Sequence, residues 1–81
     1  MDLKNLIQLY PNPGSDYLTV SGNDQLEIKN ITVRNLTGQE VLFTSGNSRK
    51  VMVNTESLAK SVYLVEIETS KGTTTLRWVK Q

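Results

Sequence analysis

The 81-residue chain is 37% hydrophobic and 21% charged, the proportions of one small globular domain and too apolar for a disordered tail. Nine basic and eight acidic residues give a formal net charge of +1, which supplies no electrostatic footprint for nucleic acid or an anionic membrane. With no Cys and no His, disulfides, Ser–His–Asp and Cys–His catalysis and Cys/His zinc sites are excluded, so a non-enzymatic role with no cofactor and no small-molecule substrate is expected.

Met1-Asp2-Leu3-Lys4-Asn5 is polar and no apolar core of a signal peptide follows. The chain is therefore expected to be either cytoplasmic or a piece of a longer precursor. The first strand-like run is Leu6-Ile7-Gln8-Leu9-Tyr10, stopped by Pro11-Asn12-Pro13-Gly14, which cannot continue a central strand. The second is Tyr17 to Ser21, ended by Gly22-Asn23-Asp24. Leu26-Glu27-Ile28 leads through Lys29-Asn30 into Ile31-Thr32-Val33-Arg34-Asn35, whose alternation sets Ile31 and Val33 on one face.

Leu36-Thr37-Gly38-Gln39 reads as a tight turn with Gly38 at positive φ, and Glu40 to Thr44 returns as the other arm of a hairpin. Ser45-Gly46-Asn47-Ser48 reads as a loop and Lys50 to Asn54 as a short strand. Thr55 to Lys60 reads as one helical turn or a bent corner, with Leu58 plugging the core. Val62 to Thr69 is the strongest strand, and its run Val62-Tyr63-Leu64-Val65 is far short of a membrane span. Ser70-Lys71-Gly72 turns the chain into the last strand, Thr73 to Lys80.

Seven short strands with turn signals about every ten residues point to an all-β fold, a small immunoglobulin-like sandwich of about seven antiparallel strands. Alternation sets Ile7, Leu9, Leu18, Val20, Ile28, Ile31, Val33, Val41, Phe43, Val51, Val53, Leu58, Tyr63, Val65, Ile67, Leu76 and Trp78 inward.

No cluster carries chemistry. Glu66 and Glu68 share one strand face, and a solvated face explains them better than acid–base work or calcium. Asp16 and Asp24 sit in turns, where side-chain-to-backbone bonding accounts for them. Asn30-Ile31-Thr32 and Asn35-Leu36-Thr37 match the short glycosylation pattern. Tyr10, Tyr17, Tyr63 and Trp78 suit a sugar platform only if exposed, and Trp78 shares parity with Leu76, which favours the core. Arg34, Arg49, Lys50, Arg77 and Lys80 are scattered without aromatic interleaving. Thr73 to Thr75 suit an edge that pairs with a partner strand, or an ordinary edge with none.

The order of the punctuation is more specific than any piece. Tyr10-Pro11-Asn12-Pro13 comes first, then Asn35-Leu36-Thr37-Gly38-Gln39-Glu40-Val41, then Leu58 to Val65, then Leu76-Arg77-Trp78-Val79-Lys80-Gln81 at the end. This resembles the type A C-terminal sorting domain of the type IX (Por) secretion system of Bacteroidota, over residues 6–81. The chain departs from that pattern at Asn35, usually Asp, at Gln39, usually basic, and at Ser61, usually Gly.

The resemblance implies a C-terminal sorting signal that directs a cargo, fused on its N-terminal side, through the outer-membrane type IX translocon. A sortase-like peptidase usually removes it afterwards. It implies residues 1–5 as the remnant of a linker or cleavage region, and passage through the periplasm to the cell surface or beyond. Translocon and sortase proteins are the implied partners. Recognition is expected on the C-terminal hairpin, at Arg77, Val79, Lys80 and Gln81, with Arg77 and Lys80 facing solvent and a free strand end open to a partner strand. Tyr10, Pro11, Asn12, Pro13, Gly38 and Tyr63 are expected to hold the fold. An edge-strand dimer of the isolated domain is a further expectation. The alternative is a carbohydrate-binding, adhesive or spacer sandwich of a secreted enzyme.

Overall fold

The computed structural model describes residues 3–23 and 25–81. A single 3-10 turn, Leu3–Leu6, precedes seven strands: β1 (Ile7–Tyr10), β2 (Tyr17–Gly22), β3 (Ile28–Arg34), β4 (Glu40–Ser48), β5 (Lys50–Asn54), β6 (Ser61–Thr69) and β7 (Gly72–Lys80). They form two antiparallel sheets, a three-stranded one in the order β1-β2-β5 and a four-stranded one in the order β4-β3-β6-β7. The architecture is the expected immunoglobulin-like sandwich. Met1, Asp2 and Asp24 lie outside the described residues.

Cross-strand pairs bring like residues together on the inner faces. Leu18 faces Val53 and Val20 faces Val51 in one sheet; Ile31 faces Ile67, Val33 faces Val65 and Tyr63 faces Trp78 in the other. Trp78 is the largest fully buried side chain and packs 6.3 Å, ring centre to ring centre, from Tyr63. Leu26, part of the strand-like run but absent from the expected inward residues, is also fully buried. It hangs from the β2–β3 connection, where Gly22 approaches so closely that a Cβ there would lie 2.9 Å from the Leu26 carbonyl oxygen.

Two bulges set which residues face inward. One lies between Ile28 and Asn30 of β3. It lets both Ile28 and Ile31 turn inward although they are three residues apart, an odd spacing that a regular strand would split between faces. The other lies where Val33 faces Leu42 but Arg34 faces Glu40, leaving Val41 as the extra residue.

β4 corrects the sequence reading twice. Ser45 to Ser48 are strand, not loop, and only Arg49 separates the two sheets. Its inward side chain is Leu42, half-buried against the core, while Val41 and Phe43 face outward, Phe43 54% exposed. Val41-Leu42-Phe43 is apolar throughout, so alternation cannot choose a face. The pairing of Leu42 with inward-facing Val33 does.

The β3–β4 turn is as read. The Gly38 amide donates to the Asn35 carbonyl and Gly38 has φ 90°. A three-residue loop with a left-handed residue at this place is a common hairpin closure. Thr55 to Lys60 is the bent corner, not a helix, and Leu58 packs against the core.

Candidate functional site

The end of β7 is where the first turn, the mid-chain corner and the last residues meet. Strand alternation gives β7 two faces. Leu76, Trp78 and Lys80 point inward, while Thr73, Thr75 and Arg77 point out. Arg77 and Gln81 are exposed and Val79 is half-buried. Among the described residues no carboxylate pairs with Arg77.

Lys80 is not the solvent-facing cation expected. It is 8% exposed. Its ammonium donates to three backbone carbonyls of the corner, those of Thr55 at 2.6 Å, Glu56 at 3.3 Å and Leu58 at 2.5 Å. Three N–H donors thus meet three acceptors. The signal was available: Lys80 shares parity with Leu76 and Trp78. Tyr63 completes the corner, its hydroxyl donating to the Ala59 carbonyl at 2.5 Å, four residues upstream. This is the tyrosine corner of immunoglobulin-like sandwiches. Ser61, in place of glycine, starts β6 opposite Lys80 in ordinary strand pairing.

The Pro-Asn-Pro segment lies along the outer edge of β7. Both X–Pro bonds, Tyr10–Pro11 and Asn12–Pro13, are cis. The Asn12 amide acts as a peptide group would: its nitrogen donates to the Arg77 carbonyl at 3.1 Å, and its oxygen accepts from the Val79 amide at 3.2 Å. The Gly14 amide donates to the Val79 carbonyl at 2.9 Å, and the Gln81 amide donates to the Gly14 carbonyl at 2.8 Å. Trp78 Nε1 donates to the Pro11 carbonyl at 2.8 Å. Gly14 was not singled out by sequence. It is required because a Cβ there would lie 2.8 Å from both the Pro11 oxygen and Trp78 Cζ2.

The expected free strand end is therefore occupied. Residues 11–14 lie along the last residues of β7, Asn12 through its side-chain amide and Gly14 through its backbone, and what the end presents outward is side chain rather than open backbone. Thr55, also missed, ties the corner to the same segment. Its hydroxyl donates to the Ser15 carbonyl at 2.8 Å and its amide to the Asp16 carbonyl at 2.9 Å. No polarity or spacing marks it, since it sits in a polar run.

Tyr10 is half-buried, its ring 6.0 Å from Lys50 Nζ. Gly38 lies in the β3–β4 turn, a region separate from this junction. Glu66 and Glu68 lie on the outer face of the four-stranded sheet. Glu66 is 3.5 Å from Arg34, and Glu68 accepts from Asn30 at 2.5 Å, which is the solvated-face reading. The aromatic platform is not assembled: Trp78 and Tyr63 are buried, and of the four only Tyr17 is well exposed. Tyr17 lines a shallow cavity of about 320 Å³ with Asp16, Met52, Asn54 and Glu56. One ring is not a strip.

A family model described as a secretion system C-terminal sorting domain matches residues 8–81. Among solved structures the chain is similar to that of PorZ, described as an essential bacterial surface component of the type-IX secretion system of Porphyromonas gingivalis. The two share 21% identity with a TM-score of 0.73, over 98% of this chain and 12% of that one, a likeness of fold. No curated protein matches the chain.

Proposed function

Because the chain belongs to the family of secretion system C-terminal sorting domains, we propose that it is the terminal address of a larger cargo, fused on its N-terminal side and carried through the outer-membrane type IX translocon. The cargo folds in the periplasm, and a sortase-like peptidase then cuts before Leu3. Leu3 and Leu6 pack against the core, so residues 3–5, read as part of the linker, are placed here with the folded body. The destination is the cell surface or the medium.

The observation that carries this reading is the build of the β7 end. A rigid junction locked by Lys80, Trp78 and residues 11–14 holds Arg77, Val79 and Gln81 in a fixed outward array at the last residues of the domain. A translocon protein reads those side chains. Lys80 contributes indirectly, by holding the strand end. The sugar-binding alternative loses its main support with Trp78 in the core.

The test is transport of a fluorescent protein carrying a Sec signal and fused ahead of this chain. In a type IX-competent host the intact fusion is expected at the surface or in the medium, and in a translocon-deficient host in the periplasm. Arg77→Glu is expected to lower export about tenfold, the loss of one interfacial charge contact of about 1.4 kcal/mol. Unchanged export by this variant removes the role given to Arg77. Periplasmic retention of the folded, intact wild-type fusion in the competent host sinks the sorting reading.

A further inference from the structure

The outer face of the three-stranded sheet carries two exposed apolar side chains side by side. Tyr17 is 47% exposed and Met52 is 66% exposed. Met52 pairs with Thr19, two residues on from Tyr17, so the ring and the thioether are diagonal neighbours on adjacent strands. They form the floor of the shallow cavity described above, and Asp16, Asn54 and Glu56 form its polar side. Both carboxylates are exposed, and among the described residues neither has an ion pair.

Backbone bonds fix where those carboxylates stand. The Asp16 carbonyl accepts from the Thr55 amide at 2.9 Å, and the Glu56 amide donates to the Asn54 side-chain oxygen at 2.9 Å. The nearby cations are engaged elsewhere. Lys50 shares this sheet face, but its ammonium lies 6.0 Å from the centre of the Tyr10 ring. The Lys80 ammonium is held by the carbonyls of Thr55, Glu56 and Leu58. Among the described residues no cation stacks on Tyr17.

We propose that this cavity is a docking site for a Lys or Arg side chain of a partner protein. Its charge and its floor select that occupant. Two carboxylates without a counter-charge repel phosphate groups and acidic peptides. A bare divalent cation needs several oxygen ligands, and among the described residues no three His, Cys, Asp or Glu side chains stand together to hold one. A long basic side chain satisfies both halves of the cavity. Its aliphatic stem covers Met52, and its charged head meets the Tyr17 ring and the carboxylates. Arg suits the site better than Lys, because a guanidinium stacks on a ring and offers two N–H groups to one carboxylate. The 3-10 turn joins the sandwich at the opposite end of β2, where Ile7 pairs with Gly22, so a chain preceding Leu3 enters away from this cavity. The inference does not rest on the transport reading and stands or falls without it.

The test is an amide-resonance titration of the 81-residue chain with acetyl-Gly-Arg-Gly amide and with its citrulline counterpart, which has the same shape and no charge. The arginine peptide is expected to shift the amides of Tyr17, Met52, Asn54 and Glu56, with a Kd on the order of 10 mM for a single side chain. At about 10 mM peptide, the citrulline form is expected to give shifts about fivefold smaller. The double variant Asp16→Asn, Glu56→Gln is expected to lose about as much. Tyr17→Leu keeps apolar area but removes the ring face, and is expected to bind about threefold more weakly. All these positions are exposed, and the unchanged resonances elsewhere in each variant show that it is folded. Equal shifts from the two peptides, undiminished shifts in the double variant, or no shift up to about 50 mM peptide overturns the proposal. Maltose or acetyl-Gly-Glu-Gly amide shifting these amides in place of the arginine peptide overturns it as well.

Discussion

Lys80 carries its charge into a junction where its hydrogen-bond partners are backbone carbonyls: those of Thr55, Glu56 and Leu58. Truncating the ammonium leaves buried acceptors unpaired. Lys80→Met is therefore expected to destabilise the domain by about 2–4 kcal/mol in urea unfolding. Arg77→Glu, on the exposed face three residues earlier, is expected to stay within about 0.5 kcal/mol of wild type. Equal effects would refute the division between a lock and a displayed side chain. Any secretion defect of a Lys80 variant then reports on folding first, which is why Arg77 is the informative substitution. The departures at Asn35 and Gln39 also have a residue-scale reason. Asn35 Oδ1 accepts from the Thr37 amide, the Thr37 hydroxyl and the Gln39 amide, the work an Asp carboxylate does in such a turn. Its Nδ2 donates to Gln39 Oε1 at 3.4 Å, an amide pair where an acidic and a basic residue would form an ion pair.

At the scale of the element, β4 is decided by its neighbour rather than by its own residues. Leu42 lies opposite Val33 and reaches the core, and Phe43 lies opposite Thr32 on the outside. Leu42→Ala is expected to cost about 1–2.5 kcal/mol, roughly half the loss at a fully buried site. Phe43→Ser, measured in dilute solution, is expected to change stability by no more than about 0.5 kcal/mol. The reverse order in thermal melts would mean that the strand is shifted by one residue. The same logic governs β3, where the bulge at Lys29 is what allows Ile28 to bury alongside Ile31.

For the whole molecule, the last strand is first of all a structural member. β7 supplies Trp78 to the core, Lys80 to the corner and the edge on which residues 11–14 lie. A domain of this length has only about 4–12 kcal/mol of stability. Removing one core Trp costs about 3–5 kcal/mol. Deletion of residues 73–81 is thus expected to collapse the dispersed amide resonances and abolish cooperative melting. A truncated chain that keeps both would show that the sandwich closes without β7. Export assays that delete the C-terminus therefore remove the fold together with the side chains proposed for recognition.

Periodicity and punctuation were enough for the seven strands, the sandwich class, the turn at Gly38 and the core places of Ile31, Val33, Val65, Ile67 and Trp78, because each depends on residues close together in the chain. The place of Tyr63 was legible for the same reason, since its hydrogen bond reaches only four residues back to Ala59. Lys80 was half legible: its parity pointed inward, but its acceptors lie in a corner 22 to 25 residues away. Leu26 shares parity with Ile28 and so was legible in part, whereas Thr55 and the required glycine at position 14 left no local mark. What they meet, the core, the Ser15 carbonyl and the Trp78 ring, comes from segments distant in the chain. The face of β4, the bulges and the covering of β7 by residues 11–14 were decided only in three dimensions. Register and edge pairing are relations between strands, and a single strand's own sequence does not contain its partner.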